Sequence, residues 1–424
     1  MVNNENHEAI SLTGKRVVLL LQGGGALGVY QVGAYAALER ACNEEHTKVD
    51  WVGGISIGAV NAAVIAGPKC GSASTELKKV WDKILSPDYP PYDYQLLWRS
   101  LPRVLRDACG WLGELGPKYA EWAWRAFNPA GQTHFFTSRI MNPLENPWCT
   151  EWFSPQSPHQ LAFYDTGPLR KTLNTHINWD AVNQPAGLWL SLGAARVRDG
   201  EVVFFNSFDS KNPRWPRRTI SADHVLASGA LPPGFSEIQI DGDWYWDGGV
   251  STNTPIEALA EDLTADTTTD TIVFLVDLWD RKGPILRSLD EAIWRQKSIE
   301  YGSRKEAVVR VVNEHQLKVE AKPVVRPTCR EVCQVMFERP RHDSQPQFSL
   351  ADADFSRTNY DEILTLGYRD MKSAIEHPDR VLGVGGKYAI LYLHGTHGKH
   401  RDTDIDYATT QRRERVAGNR GAAA

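Results

Sequence analysis

The chain has 424 residues, of which 42% are hydrophobic and 23% charged, and its formal net charge is −5. A chain of this size can bury a large core, and its small net charge gives it no overall attraction to nucleic acid or to an acidic membrane surface. The six cysteines, at positions 42, 70, 109, 149, 329 and 333, form no C-x-x-C pair, which favours reduced thiols over a disulfide scaffold or a zinc site. Residues 1–13 are polar and lack the apolar segment of a secretion signal, so we expect a cytoplasmic protein.

A glycine-rich cluster directly follows the first predicted strand, the apolar run 17–21. It reads Gly23-Gly24-Gly25-Ala26-Leu27-Gly28. This spacing also satisfies G-x-G-x-x-G, the dinucleotide fingerprint, but that interpretation needs an acidic residue at the end of the second strand, where Gly54-Ile55-Ser56 stands instead. The alternative use is an oxyanion hole, because glycines let main-chain N–H groups converge on an oxygen that becomes negative during attack on an ester.

A second glycine-rich turn presents a serine. The predicted strand 49–53 leads into Gly54-Ile55-Ser56-Ile57-Gly58, and an alanine-rich helix follows. In a G-x-S-x-G turn the glycines remove the Cβ atoms that would collide where the strand folds back into the helix, which leaves the serine oxygen exposed. Both turns follow a predicted strand, and the carboxyl ends of the strands form the edge of an open α/β sheet at which ligands bind. Ser56 is therefore the candidate nucleophile.

The segment 81–152 is rich in aromatic residues and holds seven of the fifteen tryptophans. One interpretation is a cap or lid that lines an acyl-chain pocket or touches a lipid surface, since indole rings suit apolar and interfacial positions. The alternative is a helical subdomain whose aromatic side chains pack on the core. Either arrangement would affect the choice of substrate.

A candidate base for the serine lies in Trp244-Tyr245-Trp246-Asp247-Gly248-Gly249. An aspartate between an aromatic segment and two glycines can lie in a partly dry site, where its pKa rises toward a value useful for proton transfer. The alternative is an ordinary turn residue, as we predict for the hairpin turn at 241–243. A second hairpin is predicted at 188–205. His224 is a possible third catalytic member, but a structural or surface histidine is the favoured interpretation.

After Asp277 the hydrophobic pattern predicts a helix over 285–318, a strand over 332–337 and an amphipathic helix over 360–375. The charged stretch 352–357 predicts a solvated loop that caps the last of these helices. The tail from residue 397 onward has little apolar content and is predicted to be flexible.

Together the three clusters resemble the patatin-like acyl hydrolases, whose pattern is a glycine-rich oxyanion loop, a G-x-S-x-G elbow and a distant D-G-G/A. The resemblance runs from about 16 to about 278 and includes D-T-G-P-L at 165–169 and A-S-G-A-L-P-P-G-F at 227–235. It implies a nucleophile, Ser56, and a general base, Asp247, with no cofactor and no metal. The oxyanion hole implied is the backbone of Gly23, Gly24, Gly25 and Ala26. The flanking motif residues are Gly54, Ile55, Ile57, Gly58, Gly248 and Gly249.

The resemblance also implies a three-layer α/β fold with a mainly parallel central sheet, a helical aromatic insertion and a C-terminal α+β extension. We predict a polar arm at 1–15, a catalytic domain at 16–280 with the insertion at about 81–160, an extension at 281–396 and a flexible tail at 397–424. The extension resembles the extra region of a bacterial subgroup of these proteins. It is a candidate surface for a homo-oligomer or a protein partner.

The activity implied is hydrolysis of carboxylic esters of lipids or related acyl esters through a Ser/Asp dyad and an acyl-enzyme. Transient contact with a membrane is expected, and nucleic acid is not an expected partner. Leu27 stands where the family often has Lys or Arg, which favours neutral esters, lysolipids or short hydroxyacyl (hydroxybutyrate-type) oligomers over phospholipids. The alternative from another class is a catalytically idle scaffold that binds a partner through the extension.

Overall fold

The computed structural model describes residues 9–85, 137–138, 162–259, 262, 269–279, 286, 289–302, 330–336, 352, 355, 357, 360–376 and 390–394. Most of the predicted aromatic insertion and the whole predicted tail lie outside the described residues. The domain boundaries near 15, 280 and 396 stay predictions. In the described part of the chain, no helix combines the length and the apolar character that crossing a membrane requires.

Nine of the described strands form one sheet, whose path runs β11-β10-β9-β1-β2-β5-β8-β7, with β6 paired to β5 beside that path. Neighbours from β11 to β5 are parallel, whereas β6, β7 and β8 join by antiparallel pairing. A second, two-stranded sheet pairs β3 with β4. The strands are β1 (Arg16–Leu21), β2 (Val49–Ile55), β3 (Thr137–Ser138), β4 (Tyr164–Asp165), β5 (Trp189–Arg196), β6 (Val202–Asn206), β7 (Ile238–Ile240), β8 (Asp243–Asp247), β9 (Thr271–Asp277), β10 (Arg330–Met336) and β11 (Ile390–His394).

The helices and the sheet enclose a core on each face of the sheet. Alternate side chains of β1 point to opposite faces, as the two-residue period of a strand requires: Val17 and Leu19 join the larger core, and Val18 and Leu20 the smaller one. The predicted fold class, mixed α/β with a mainly parallel sheet, is confirmed. The described helices are α1 (Val29–Glu44), α2 (Ile57–Ala66), α3 (Ala73–Ile84), α4 (Gly167–His176), α5 (Trp179–Val182), α6 (Ala222–Ser228), α7 (Leu289–Gly302) and α8 (Tyr360–Glu376), with 3-10 turns at Gly25–Gly28, Gly248–Val250 and Pro255–Leu259.

The C-terminal part of the chain completes this sheet. Strand β10 pairs along the whole of β9, and β11 pairs with β10. Helix α8 lies on α1 with very close backbones, because Gly33 faces the carbonyl of Leu364 and Gly367 faces the carbonyl of Tyr30. The Tyr30 hydroxyl also donates to the carboxylate of Asp370 at 2.9 Å. The predicted extension is thus joined to the predicted catalytic domain by a sheet and by a helix pair.

Both predicted hairpins are confirmed. The β7–β8 turn contains Asp241 at φ 51° and Gly242 at φ 89°, and the β5–β6 turn contains Gly200 at φ 72°. Two consecutive residues with positive φ are typical of the tight turns whose twist matches that of the flanking strands. Strand β8 of the β7–β8 hairpin pairs with the central strand β5, and this places Asp247, at the end of β8, beside β5.

Candidate active site

The glycine-rich loop and the serine turn lie side by side, because β1 and β2 are parallel neighbours that end in register at Leu21 and Gly54. The serine turn leaves no room for side chains at its glycines. A Cβ atom at Gly54 would stand 2.2 Å from the carbonyl oxygen of Gly58, and one at Gly58 would stand 2.3 Å from that of Leu21. The glycine spacing is therefore a packing requirement of the turn.

Ser56 occupies the strained position at the tip of this turn. Its φ of 57° and ψ of −125° lie outside the regions that an L-residue with a Cβ atom prefers. Its N–H donates to the carbonyl oxygen and to the hydroxyl of Ser228, both at 3.1 Å. The conformation directs the side chain into a cavity and away from the turn.

Asp247 lies at the end of β8 and lines the same cavity as Ser56. The residue is 2% exposed, and its carboxylate accepts a hydrogen bond from the N–H of Gly249 at 2.7 Å. Burial raises the pKa of Asp247 to about 6, although the Ser56 side chain and the Gly249 N–H both favour the ionised form. The structure thus brings together the predicted nucleophile and the predicted base.

The glycine-rich loop forms another wall of the same cavity. The Gly23 N–H donates to the carbonyl of Asn253 at 3.3 Å, while the Gly23 carbonyl accepts from the side chains of Asn253 at 3.0 Å and Trp279 at 2.7 Å. In the described ranges, no backbone hydrogen bond uses the N–H of Gly24, Gly25 or Ala26. Of the four predicted oxyanion donors, the Gly23 N–H is therefore the one already engaged by the backbone in these ranges.

The cavity has a volume of about 480 Å³ and a mostly apolar wall. Ser56 and Asp247 lie together at its surface, with the glycine-rich loop beside them. A cavity of this size and polarity suits an apolar chain with one polar reacting group. Its apolar lining includes Val60, Leu169, Val225, Leu226, Leu231 and Phe235.

Residues beyond the predicted catalytic core also line the cavity. Tyr301, Asp352 and Phe355 are part of its wall, and both carboxylate oxygens of Asp352 lie 2.9 Å from the Lys297 Nζ. The prediction that Asp352 belongs to a solvated loop was wrong, because this ion pair and the packing against Gly25 hold it at the site. Nothing in the local sequence of Asp352 distinguishes it from a surface aspartate.

His224 has a structural role, in agreement with its predicted character. Its Nδ1 accepts from the N–H of Ser221 at 3.1 Å, and its ring packs edge-on against Phe205. Burial lowers the pKa of His224 to about 4, with a further contribution from Arg218. Sequence reasoning did not identify Ser228 as the acceptor of the Ser56 N–H. The only feature of the sequence that points to Ser228 is its place in the A-S-G-A-L-P-P-G-F motif.

Comparisons with known proteins agree with the motifs. A family model described as Patatin-like phospholipase matches residues 19–260. No curated protein sequence matches the chain. Among solved structures, VipD from Legionella pneumophila is similar at 14% identity and a TM-score of 0.31, over 84% of this chain and 68% of VipD. The type III effector protein ExoU is similar at 14% identity and a TM-score of 0.24, over 84% of this chain and 54% of ExoU. Similarities this low carry no argument about activity.

Proposed function

The chain belongs to the patatin-like phospholipase family, which supports a lipid acyl hydrolase activity, and on this basis we propose that Ser56 and Asp247 form its catalytic dyad. One observation carries the proposal: Ser56 and the buried carboxylate of Asp247 lie together at the surface of an apolar cavity, where the Ser56 side chain favours the ionised carboxylate. Nucleophilic catalysis by a serine requires a base beside it, and Asp247 is the carboxylate beside Ser56 in this cavity.

The proposed reaction is hydrolysis of a carboxylic ester in two steps. Asp247 accepts the hydroxyl proton as the Ser56 oxygen attacks the carbonyl carbon, and the N–H groups of Gly24, Gly25 and Ala26 stabilise the oxyanion. The C–O bond to the alcohol then breaks, the alcohol leaves with the proton from Asp247, and the acyl group stays on Ser56. A water molecule, activated by the same carboxylate, releases the acyl group as a carboxylic acid. With a pKa of about 6, the carboxylate is ionised at neutral pH and is more basic than an ordinary aspartate.

We propose neutral esters with an apolar acyl chain as the preferred substrates, including acylglycerols, lysolipids and hydroxybutyrate-type oligomers. Leu27 is buried, with 2% of its surface exposed, and supplies no charge to the loop. The charged side chains among the described cavity residues are the carboxylates of Asp247 and Asp352. Phosphatidyl lipids as the best substrates of a broad ester panel would contradict this preference.

The test of the dyad is intact-mass detection of a fluorophosphonate adduct on the purified chain. We expect one adduct on the wild type, none on Ser56→Ala and a sharply slower reaction on Asp247→Asn. Asp243→Asn is the matched control, because Asp243 lies at the other end of β8 and pairs with Arg198 at 3.0 Å. No adduct on the wild type, even with detergent present, would contradict the dyad and favour a catalytically idle scaffold.

We also propose a cytoplasmic location with transient contact to a lipid surface, because the proposed substrates are lipid esters. A homo-oligomer or a protein partner bound through the C-terminal residues is part of the same proposal. Cell fractionation, vesicle co-sedimentation and size-exclusion chromatography with light scattering test these points. A chain that is monomeric would contradict the homo-oligomer, and a chain that sediments with no vesicle would contradict the lipid contact.

A further inference from the structure

A residue from far along the chain lies directly against the glycine-rich loop. The carbonyl oxygen of Asp352 stands 2.0 Å from the position that a Cβ atom on Gly25 would occupy. Gly25 has a φ of 55°, in the left-handed region that glycine adopts without a steric penalty. Gly25 is therefore both the residue of the loop with a left-handed backbone and the residue that packs against Asp352.

The side chain of Asp352 is anchored to helix α7. Lys297 contacts both of its carboxylate oxygens at 2.9 Å, and the two side chains are 26% and 21% exposed, so the pair is partly shielded from water. The same helix also contacts the start of the loop, because the Gln22 side chain donates to the carbonyl of Tyr301 at 3.2 Å. Helix α7 is thus connected to the loop at Gln22 directly and at Gly25 through Asp352.

Three consecutive glycines have little conformational preference of their own, so the shape of this loop depends on what surrounds it. Its first residue, Gly23, is held by Asn253 and Trp279. At Gly25 the surrounding group is the backbone of Asp352. A shift of this backbone would let Gly25 and its N–H change direction.

We propose that Lys297 and Asp352 are positioning residues for the glycine-rich loop: their ion pair holds the Asp352 backbone against Gly25 and so keeps the loop N–H groups directed at the oxyanion. This inference rests on the proposed function, because it assumes that these N–H groups bind the oxyanion. It adds a C-terminal element, outside the region matched by the family model, to the machinery of the reaction. The pair acts through the loop and does not contact the reacting atoms.

The experiment compares the full-length variants Lys297→Met and Asp352→Asn with the wild type, using a long-chain p-nitrophenyl ester. We expect kcat to fall on the order of tenfold to a hundredfold, because small misplacements of catalytic groups have effects of this size, while KM changes little. Inhibition by a long-chain trifluoromethyl ketone, whose adduct with serine carries an oxyanion, should weaken by a similar factor. Inhibition by the matched methyl ketone should not change.

Two further variants separate positioning from a general loss of stability. Lys297→Arg and the exchange Lys297→Asp/Asp352→Lys both restore an ion pair and should recover most of kcat. The matched control is Arg357→Gln, which breaks the exposed 3.1 Å pair with Asp82 in the same region and should leave kcat and the ketone affinities unchanged. Thermal unfolding of each variant shows whether kcat follows Tm.

Unchanged kcat in Lys297→Met and Asp352→Asn would overturn this inference while leaving the proposed function intact. Equal weakening of both ketones, or a kcat that falls only in step with Tm and is not recovered by the restored pairs, would also overturn it. A wild type that forms no adduct and hydrolyses no ester would overturn the proposed function, and this inference with it.

Discussion

The backbone N–H of Ser56 lies 3.1 Å from two oxygens of one residue, the carbonyl and the hydroxyl of Ser228. The same hydroxyl donates to the carbonyl of Gly193 at 2.6 Å, and two residues further on the carbonyl of Ala230 accepts the N–H of Asp247 at 2.9 Å. One short segment therefore holds the backbone of both proposed catalytic residues. Strained backbone of the kind seen at Ser56 costs about 1–3 kcal/mol and persists only where the surroundings hold it.

Replacement of Ser228 by Ala should lower kcat about tenfold, because the Ser56 N–H loses one of its two acceptors and the nucleophile becomes less firmly placed. The matched control is Ser207→Ala, since Ser207 is also buried and its hydroxyl also accepts a backbone N–H, that of Leu190 at 3.0 Å. Steady-state kinetics and thermal unfolding of both variants give the result. Equal losses of kcat in the two variants would show a general effect of losing a buried hydroxyl.

The pH dependence of kcat/KM should show an acid limb near pH 6. The base must be ionised to accept the proton of Ser56, and burial raises the pKa of Asp247 to about 6, so activity falls as the pH drops through that value. The measurement uses an uncharged ester between pH 4.5 and 9. A limb close to pH 4, the range of an ordinary aspartate, would mean that the carboxylate is well solvated in the free enzyme.

Asp247→Asn should stabilise the fold at neutral pH while it removes activity. The folded-state pKa of about 6 lies above the ordinary aspartate value of 3.8, so the folded protein binds the proton more tightly, and the wild type loses stability as the pH rises between these values. The Asn variant lacks this loss, which is about 3 kcal/mol for a shift of this size. Urea unfolding of both proteins at pH 4 and pH 8 tests it, and a difference that does not grow with pH would contradict it.

Gly25→Ala should reduce kcat by about a hundredfold or more, because the new methyl group would meet the backbone of Asp352 and displace the oxyanion donors. Gly71→Ala is the matched control: Gly71 has a φ of 79°, and a Cβ atom there would meet nothing within 4 Å. The control therefore carries the backbone strain without the contact and should keep full activity. If both variants lost activity, backbone strain alone would explain the loss of kcat in Gly25→Ala.

The parts of the site that could be predicted are those written in local sequence. The spacing of Gly54 and Gly58 around Ser56 reflects backbone packing within one turn, and Asp247 stands beside glycines that start the next turn. The contributions of Ser228 and Asp352 could not be predicted from the residues around them. Their roles depend on which distant backbone each one meets, and a serine or an aspartate has no local pattern that records this.

The fold itself shows the same division. Strand β1 is predicted from its apolar run and the turns at Gly200 and Gly242 from their local residues, and the structure confirms all three. The strand of the C-terminal region was also predicted, but its pairing with β9 was not, because register between strands far apart in sequence depends on the whole arrangement of the sheet.

Strand β9 is buried along its entire length and lies between β1 and β10. A chain shortened to end after β9 would leave the N–H and C=O groups of this apolar strand without partners along one side. Such an edge is a template for pairing with other molecules. A fragment that ends near residue 260, where the family match ends, lacks β9 itself and exposes the buried strand β1 along the side on which β9 pairs. Such fragments should therefore aggregate even though they contain every motif by which the family is recognised.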